Sequence, residues 1–366
     1  MSSPENYLPW ITVTHLIPKI GFFASVILGL ILLTLNLCGA QRHFGSYKYI
    51  ISIFTIFGMI FATNEIIVYP NIHSYNSGFL YFSFDESFGM SSEKTKNIPL
   101  ASYTFMFAVT LSLLPIQFIY RYWAVFNVQK LKFFHGYYWL IWPFFCSYFG
   151  LQYSLGVYFL MDMDEISIEY FREEFLLRYD VNITEIPAKA VLAYNPSDGS
   201  VRWWNVMSVL NIYLIVNTLY CIMIYCGWNM HKGMEEKVRN FSEILKNQHK
   251  QFYKALVLQI VSPTVILFLP ITCIIMLPFF NLKISLPSGV IGCSFTLYPA
   301  MDSLIVMYVV SEYRKSAWRI YQNFLVYLNL CNESRGIATG NSTSELLFLL
   351  KLKHSTGQKD TKFNSF

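Results

Sequence analysis

Long apolar stretches separated by short polar segments are the dominant pattern of this chain. A helix needs about 20 apolar residues to cross the hydrocarbon core of a bilayer. Seven stretches reach that length: 16–37, 49–69, 100–120, 136–161, 204–228, 252–280 and 288–311. Charged residues are rare within them, and Lys19 lies close enough to a helix end to reach the headgroups. The pattern predicts an all-α membrane protein, a bundle of seven transmembrane helices.

The distribution of lysine and arginine predicts the orientation of this bundle, because these residues are enriched in cytoplasmic loops. The first, third and fifth connections and the tail carry 19 of them, with Lys254 counted to the fifth connection, whereas the N-terminus and the other connections carry 7. We therefore expect residues 1–15 outside the cell and the tail, residues 312–366, inside. The leading 15 residues contain no lysine or arginine, so the first span is not read as a cleaved signal peptide.

The fourth connection, residues 162–203, is the only sizeable outer segment in this topology. It contains Asn182-Ile183-Thr184, which has the pattern of an N-glycosylation acceptor. We expect a glycan on Asn182 and none on the similar triplets at Asn240, Asn332 and Asn341, which fall on the inner side.

Two segments outside the spans show helical periodicity. Between Asp164 and Tyr179 the apolar residues gather near one face: Ile168, Phe171, Phe175 and Leu176. We predict a short amphipathic helix over the mouth of the bundle, with a solvated helix that plays no part in ligand binding as the alternative. After the seventh span a second apolar set recurs beside basic residues: Ala317, Trp318, Tyr321, Phe324 and Leu325. This set predicts a helix along the inner leaflet.

Composition and motifs exclude several classes of protein. Charged residues make up 13% of the chain, about half the usual share in soluble domains. The net charge of +5 comes without a basic tract interleaved with aromatics, so no nucleic-acid partner is expected. No zinc-protease, nucleophile-elbow or phosphate-loop motif occurs. We predict no metal, no cofactor and no catalytic residue. None of the seven cysteines falls in an outer segment, so we also expect no outer disulfide.

Polar groups and prolines within the spans are candidates for function, because intramembrane polar groups are costly. Asp302 follows Pro299 in the seventh span, where proline frees a carbonyl, and we interpret this pair as a hinge or a hydrogen-bond hub. Passive burial is the alternative. Glu65 either holds a polar ligand or hydrogen-bonds within the outer bundle. Pro263 and Pro270 predict a kink in the sixth span, although proline is common in membrane helices.

Four short motifs, in order, resemble a known family. They are Phe44-Gly45-Ser46-Tyr47-Lys48, Ile119-Tyr120-Arg121-Tyr122, Tyr298-Pro299-Ala300-Met301-Asp302 and Tyr313-Arg314. The chain resembles the nematode seven-transmembrane chemoreceptors of the Str superfamily, which includes the Str and Srj groups. The resemblance covers most of residues 10–330. It implies a G-protein-coupled olfactory receptor in the plasma membrane of a sensory-neuron cilium.

The resemblance also implies roles for single residues. It assigns Tyr120, Arg121 and Tyr122 to coupling with the G protein, with a membrane anchor as the alternative for this triplet. An arginine that is always charged is expected to face headgroups, water or a partner. The chain departs from the family where Ser303 stands in place of a frequent proline. Tyr120 also replaces the acid that precedes the arginine in rhodopsin-like receptors.

The function predicted from these features is detection of a small, apolar or volatile molecule and signalling to a heterotrimeric G protein. The expected pocket residues project from the outer halves of three spans: Tyr103, Phe107, Asn211, Phe295 and Tyr298. Ordinary packing is the alternative for each. A ligand-gated ion channel or transporter with seven spans is the alternative function. Insect-type odorant channels place the N-terminus inside, which the lysine and arginine count opposes.

Overall fold

The computed structural model describes residues 6–39, 47–84, 92, 95–239 and 242–322. Within these ranges, five helical segments are long and apolar enough to cross a membrane: Leu8–Leu37, Tyr47–Val68, Ile98–Phe126, Trp203–Gly233 and Gly289–Val309. They correspond to the first, second, third, fifth and seventh predicted spans. The helices involved are α1 (Leu8–Thr34, followed by a π-helical turn, Leu35–Gly39), α2 (Tyr47–Val68), α3 (Ile98–Phe126) and α6 (Trp203–Val238). The seventh span comprises α9 (Gly289–Gly292), a 3₁₀ turn (Cys293–Thr296) and α10 (Leu297–Val309).

The fourth and sixth predicted spans are also helical but less regular. Two 3₁₀ turns, Val128–Phe134 and Gly136–Leu140, precede α4 (Ile141–Leu160). The sixth span consists of α7 (Glu243–Pro263), a π-helical turn (Thr264–Phe268), α8 (Leu269–Met276) and a 3₁₀ turn (Leu277–Phe280). A π-helical turn inserts an extra residue into the hydrogen-bond ladder. The sixth span is therefore a helix that is interrupted between α7 and α8. The interruption lies between Pro263 and Pro270.

Several span boundaries differ from those predicted from hydropathy. The first helix begins at Leu8, so residues 8–15 belong to it and not to a separate N-terminal segment. The third, fifth and sixth spans extend into polar sequence at Phe126, Val238 and Glu243. An α-helix satisfies its own backbone hydrogen bonds, so it continues past the point where the apolar run stops. Hydropathy marks only the part that suits hydrocarbon.

At the centre of the bundle lies α3, which contacts α2, α4, α6 and α7. Its buried residues extend along nearly its whole length, from Pro99 to Val125. Two apolar clusters surround it. One includes Phe61, Tyr103, Phe268 and Phe295, and the other includes Tyr47, Tyr120 and Phe252. Both clusters run along α3, from Leu100 to Val125 in the first and from Val109 to Tyr120 in the second.

A four-stranded antiparallel sheet covers one end of the bundle, which we call the sheet end. Its strands are β1 (Asn71–Tyr75), β2 (Gly78–Phe82), β3 (Ala188–Leu192) and β4 (Ser285–Leu286), in the order β3-β2-β1-β4. The second, fourth and sixth connections therefore meet in one sheet. The β1–β2 hairpin turns at Asn76, whose φ of 45° is one that asparagine tolerates well. This sheet was not predicted from the sequence.

The predicted amphipathic helix of the fourth connection is present as α5 (Glu165–Tyr179). Asp164 begins it, since its side chain accepts a hydrogen bond from the backbone N–H of Ser167 at 3.0 Å. Phe171 and Phe175 are buried as expected, but Leu176 is exposed. The helix packs on the outer face of the sheet rather than directly over the bundle. Helix α5 also contacts the start of the first span, since the backbone N–H of Tyr7 donates to the carbonyl oxygen of Arg178 at 2.9 Å.

The described chain ends with helical residues 311–322. Residues 6–314 of the described ranges fall in one compact unit and residues 315–322 in a second. In the second unit Trp318 and Tyr321 are exposed. The other two large apolar residues of the predicted inner-leaflet helix, Phe324 and Leu325, lie outside the described residues.

Candidate functional site

An apolar cavity of about 400 Å³ lies beneath the sheet. Ligand pockets in proteins commonly enclose about 300–1,000 Å³, so this cavity has the size of a small-molecule site. Its walls come from α3, α4, α6, the interrupted sixth span and the start of the seventh span. Residues that line it from four of these walls are Tyr103, Phe107, Tyr153, Phe268 and Phe295.

The β1–β2 hairpin forms the roof of the cavity. Side chains alternate along a strand, and in β2 this alternation divides the residues between two clusters. Phe79 and Tyr81 point to the bundle and line the cavity. Leu80 and Phe82 join the cluster that α5 covers. The roof is therefore one layer of a packed sheet.

Hydrogen bonds attach the sheet to the spans. The side chain of Asn205, in α6, accepts a hydrogen bond from the backbone N–H of Leu192 at 2.7 Å. The hydroxyls of Ser74 and Ser288 are 2.8 Å apart, which joins β1 to the start of the seventh span. These bonds hold β1 and β3 in fixed positions over the cavity.

An aromatic cluster forms the wall between the third, sixth and seventh spans. The ring of Phe107 lies 5.0 Å from that of Phe295 and 5.9 Å from that of Tyr153, centroid to centroid. Phe268 lies 6.2 Å from Phe295. Separations of about 4.5–7 Å are those of interacting aromatic pairs. Phe107 therefore contacts aromatic side chains of the fourth, sixth and seventh spans.

The cavity wall contains hydroxyls but no acidic or basic side chain among the residues described there. Tyr81, Tyr103 and Tyr153 supply phenols from the roof and from α3 and α4. The fully buried Glu65 lies behind Tyr103, whose hydroxyl faces its carboxyl group. Neither oxygen of Glu65 forms a regular hydrogen bond to a described residue. The side chain of Tyr103 therefore separates Glu65 from the cavity.

The structure places three of the five predicted pocket residues on the cavity wall. Tyr103, Phe107 and Phe295 line it, whereas Asn211 and Tyr298 do not. The amide of Asn211 donates to the backbone oxygen of Gln152 at 3.1 Å and its oxygen accepts from the Gln152 side chain at 2.9 Å, so Asn211 faces α4. Tyr298 is buried edge-on against Phe54, at 6.2 Å. Both side chains join neighbouring spans instead of facing the cavity.

At the opposite end of the bundle, Arg121 is enclosed between two aromatic rings. Its Cζ lies 3.3 Å from the ring centroid of Tyr47 and 3.5 Å from that of Phe252. The residue is only 8% exposed, so in this arrangement it faces two aromatic rings instead of headgroups, water or a partner. Its charge interacts with the faces of the rings, as in cation–π pairs. No described carboxylate forms a salt bridge with it.

The neighbours of Arg121 have different environments. Tyr120 is buried and stacks on Tyr47 at 5.4 Å. Tyr122 is half-buried and lies edge-on to Tyr225 of α6 at 6.1 Å. The triplet therefore contacts the second, fifth and sixth spans, and Tyr120 is buried within the bundle.

A hydrogen bond joins the sixth and seventh spans near mid-bundle. The side-chain N–H of Gln259, in α7, donates to Asp302 of α10 at 2.6 Å, and both residues are buried. Pro299 lies in the first turn of α10, where the helix tolerates proline. A 3₁₀ turn, Cys293–Thr296, precedes it, so the irregular part of the seventh span lies before Pro299. Helix α10 continues through Ser303.

The outer face of the sheet holds a buried polar cluster that was not predicted from the sequence. Nδ1 of His73 lies 3.1 Å from the hydroxyl of Tyr179, and Nε2 lies 3.7 Å from a carboxylate oxygen of Glu174. Glu174 also accepts hydrogen bonds from Arg178 at 2.8 Å and from Ser285 at 2.6 Å. Burial lowers the pKa of His73 to about 4, although Glu174 opposes this effect. The cluster joins β1, α5 and β4.

Asn182 is exposed in the loop after α5. Its side-chain oxygen accepts hydrogen bonds from the backbone N–H and the hydroxyl of Thr184, at 3.3 and 3.1 Å. Asn240, Asn332 and Asn341 lie outside the described residues. The five cysteines that the structure describes with their side chains are free.

Comparison with protein families gives a match over most of the chain. The family model described as "Serpentine type 7TM GPCR chemoreceptor Str" matches residues 14–318. This range contains all the spans and the sheet.

Individual relatives come from nematodes. The chain is 34% identical over 303 residues to "G-protein coupled receptor str-33" of Caenorhabditis elegans, which covers 81% of this chain and 88% of that protein. It is 28% identical over 337 residues to "Serpentine receptor class r-10" of the same organism, covering 91% of this chain and 97% of the relative. A further relative, "G-protein coupled receptor str-217", is 24% identical over 299 residues, 79% of this chain and 84% of that protein.

Proposed function

Because the chain belongs to the Str family of serpentine seven-transmembrane chemoreceptors, we propose that it detects a small, uncharged and mainly apolar molecule in the cavity beneath the sheet. The observation that carries this proposal is the cavity itself, about 400 Å³ in volume and walled by aromatic and aliphatic side chains. An ionic ligand would lose its hydration there without gaining a charged partner from the wall, and that exchange is costly. The phenols of Tyr81, Tyr103 and Tyr153 are suited to one or two polar atoms on the ligand.

The signal leaves the cavity through the sixth and seventh spans. Phe107 contacts Phe295, and Phe268 completes the same cluster. Below them, Gln259 and Asp302 connect the two spans. A ligand that binds one arrangement of these spans more tightly than another shifts the population toward it. Tyr120, Arg121 and Tyr122 then pass the change to a heterotrimeric G protein.

We also propose a membrane orientation and a cellular location for this receptor. The N-terminus, the sheet and Asn182 face the outside, and the tail faces the cytoplasm, as the lysine and arginine count favours. The receptor works in the plasma membrane, in the cilium of a sensory neuron.

The test is a ligand screen in cells that express the chain, with calcium and cyclic-nucleotide reporters. The panel contains uncharged ketones, esters and alcohols together with carboxylates and amines that are charged at neutral pH. We expect responses to uncharged compounds that disappear when G-protein signalling is blocked. A current that persists without G proteins would support the channel alternative, and selective responses to the charged compounds would contradict the proposed ligand class.

A further inference from the structure

The cavity has a mouth in the side of the bundle. Of the described residues that line it, four are exposed: Tyr213, Ile224, Leu269 and Thr272. All four belong to α6 or α8, the helices of the fifth and sixth spans. A residue that both lines a cavity and lies on the outer surface marks the place where the cavity opens. The opening therefore lies between the fifth and sixth spans, which face lipid at this depth.

Hydrogen bonds lie at the two ends of the part of this mouth that Tyr213, Leu269 and Thr272 line. Toward mid-bundle, the hydroxyls of Tyr220 and Thr264 lie 2.9 Å apart and join α6 to the π-helical turn. At the sheet end, the hydroxyl of Tyr194 donates to the backbone oxygen of Phe279 at 3.2 Å. No hydrogen bond between α6 and α8 is found in the described part of the chain. The π-helical turn, Thr264–Phe268, lies at the deeper end, where it interrupts the regular helix between α7 and α8.

In contrast to the lateral mouth, the route from the aqueous side through the sheet is closed. Phe79 and Tyr81 of the roof are buried, at 4% and 8% exposure. Above them, β2 packs on Phe171 and Phe175, which are not exposed at all. A ligand from the aqueous side would have to separate the strands from α5 or from the spans. A ligand dissolved in the bilayer meets the lateral mouth directly.

We propose that the ligand enters from the lipid bilayer, between the fifth and sixth spans. This inference rests on the proposed function of the cavity as the ligand site. The ligand class is then narrower than uncharged molecules in general, because it consists of molecules that partition into membranes before they bind. Leu269 and Thr272 control access at one side of the mouth, and Tyr213 at the other.

The test measures access to the cavity without any agonist or G protein. Thr104 is buried and lines the cavity, so Thr104→Cys places a thiol inside it, and Ser200→Cys places one on the exposed loop before α6. Cells are treated with neutral propyl methanethiosulfonate or with its permanently charged trimethylammonium analogue. Peptide mass spectrometry then follows the modification of each introduced cysteine apart from the native ones.

We expect the charged reagent to modify Ser200→Cys but not Thr104→Cys, whereas the neutral reagent modifies both. A second substitution, Leu269→Trp, narrows the mouth and should slow neutral labelling of Thr104→Cys about tenfold, equivalent to about 1.4 kcal/mol in the barrier to entering. Val265→Trp is the matched control, because Val265 is as exposed as Leu269, at 60%, but does not line the cavity. It should leave the rate unchanged.

Labelling of Thr104→Cys by the charged reagent as fast as Ser200→Cys would overturn the proposal, and so would equal rates for the two tryptophan variants. Surface expression of every variant is measured in parallel, and Leu269→Ala, which widens the mouth, serves as a second variant if Leu269→Trp does not reach the surface. It should raise the labelling rate, and an unchanged rate would count against the proposal. Because the assay needs no ligand response, its failure is distinct from failure of the proposed receptor function.

Discussion

The enclosure of Arg121 between Tyr47 and Phe252 leads to a prediction about basal signalling. Tyr47 belongs to the second span and Phe252 to the sixth, so the guanidinium joins these two spans to α3. Any outward movement of the sixth span removes Phe252 from the stack. We expect the stack to stabilise the closed arrangement in place of the acid–arginine pair that this chain lacks.

Phe252→Leu keeps the site apolar but removes one aromatic face. A desolvated cation–π contact stabilises by about 2 kcal/mol, which corresponds to a change of about 30-fold in a two-state equilibrium constant. The closed state loses this stabilisation and the open state does not. We therefore expect Phe252→Leu to raise agonist-independent signalling at unchanged surface expression.

The control is Phe134→Leu. Phe134 belongs to the same apolar cluster and is similarly buried, at 7% against 3% for Phe252, but it packs on Tyr120 and Trp142. This variant tests whether general loosening of the cluster raises basal activity. The assay is a G-protein reporter without ligand, normalised to receptor at the cell surface.

Arg121 itself is tested with alanine and lysine. Lysine keeps the charge but lacks the planar group that stacks between the rings. If Arg121 couples to the G protein, both variants reach the surface and bind ligand, while signalling falls strongly, with lysine nearly as weak as alanine. Equal basal signalling by Phe252→Leu and Phe134→Leu would refute the stack as a closed-state contact. Full agonist signalling by a well-expressed Arg121→Ala variant would refute the coupling role.

Three further predictions concern glycosylation, reducing agents and the pH dependence of stability. Asn182→Gln should remove a glycan mass that substitutions at Asn240, Asn332 and Asn341 leave in place, and a glycan on any of those three sites would reverse the orientation. Mild reducing agent should leave ligand responses unchanged, because the cysteines that the structure describes with their side chains are free; loss of response would contradict this. Between pH 6.5 and 4 the unfolded chain protonates His73 and the folded chain does not, so stability should fall as the pH drops across this window, by up to about 3 kcal/mol. Thermal unfolding in detergent should show a weaker pH dependence in His73→Gln, and an equal dependence would mean that His73 is not the group responsible.

The spans could be predicted from sequence because each one is a continuous apolar run longer than the bilayer core. The family match supports seven of them. Their ends could not be placed in the same way, since helices such as α6 and α7 continue into polar sequence. Hydropathy indicates which part of a helix suits the hydrocarbon core, but it does not indicate where the helix begins or ends.

The sheet was missed because its strands are short and far apart in sequence. β1 and β2 pair locally, and the Asn76-Ser77-Gly78 turn between two aromatic segments was the one signal that indicated a hairpin. β3 pairs with β2 across more than 100 residues of sequence, and β4 has only two residues. Strands so far apart in sequence pair only when the bundle brings their connections together. A local sequence pattern cannot predict that pairing.

The sequence predicted only in part which side chains face the cavity. Tyr103 and Phe107 lie four residues apart on one face of α3, and helical periodicity relates them correctly. The rotation of α6 about its own axis decides whether Asn211 faces the cavity or α4, and its sequence does not specify that rotation. The partners of Arg121 lie at positions 47 and 252, so the stack becomes visible only once three spans are assembled.

The most direct test of the cavity as the ligand site compares Phe107→Ala with Phe105→Ala. Both residues are half-buried on α3, but Phe107 lines the cavity and Phe105 packs against α4 near Gly150. The measurement is the concentration of the best agonist from the ligand screen that gives half-maximal signalling, at matched surface expression. Losing the apolar contact of one phenylalanine side chain, about 1.5–3 kcal/mol, predicts at least a tenfold increase for Phe107→Ala and little change for Phe105→Ala. An unchanged value for Phe107→Ala, or equal shifts in the two variants, would contradict the assignment of the cavity as the ligand site.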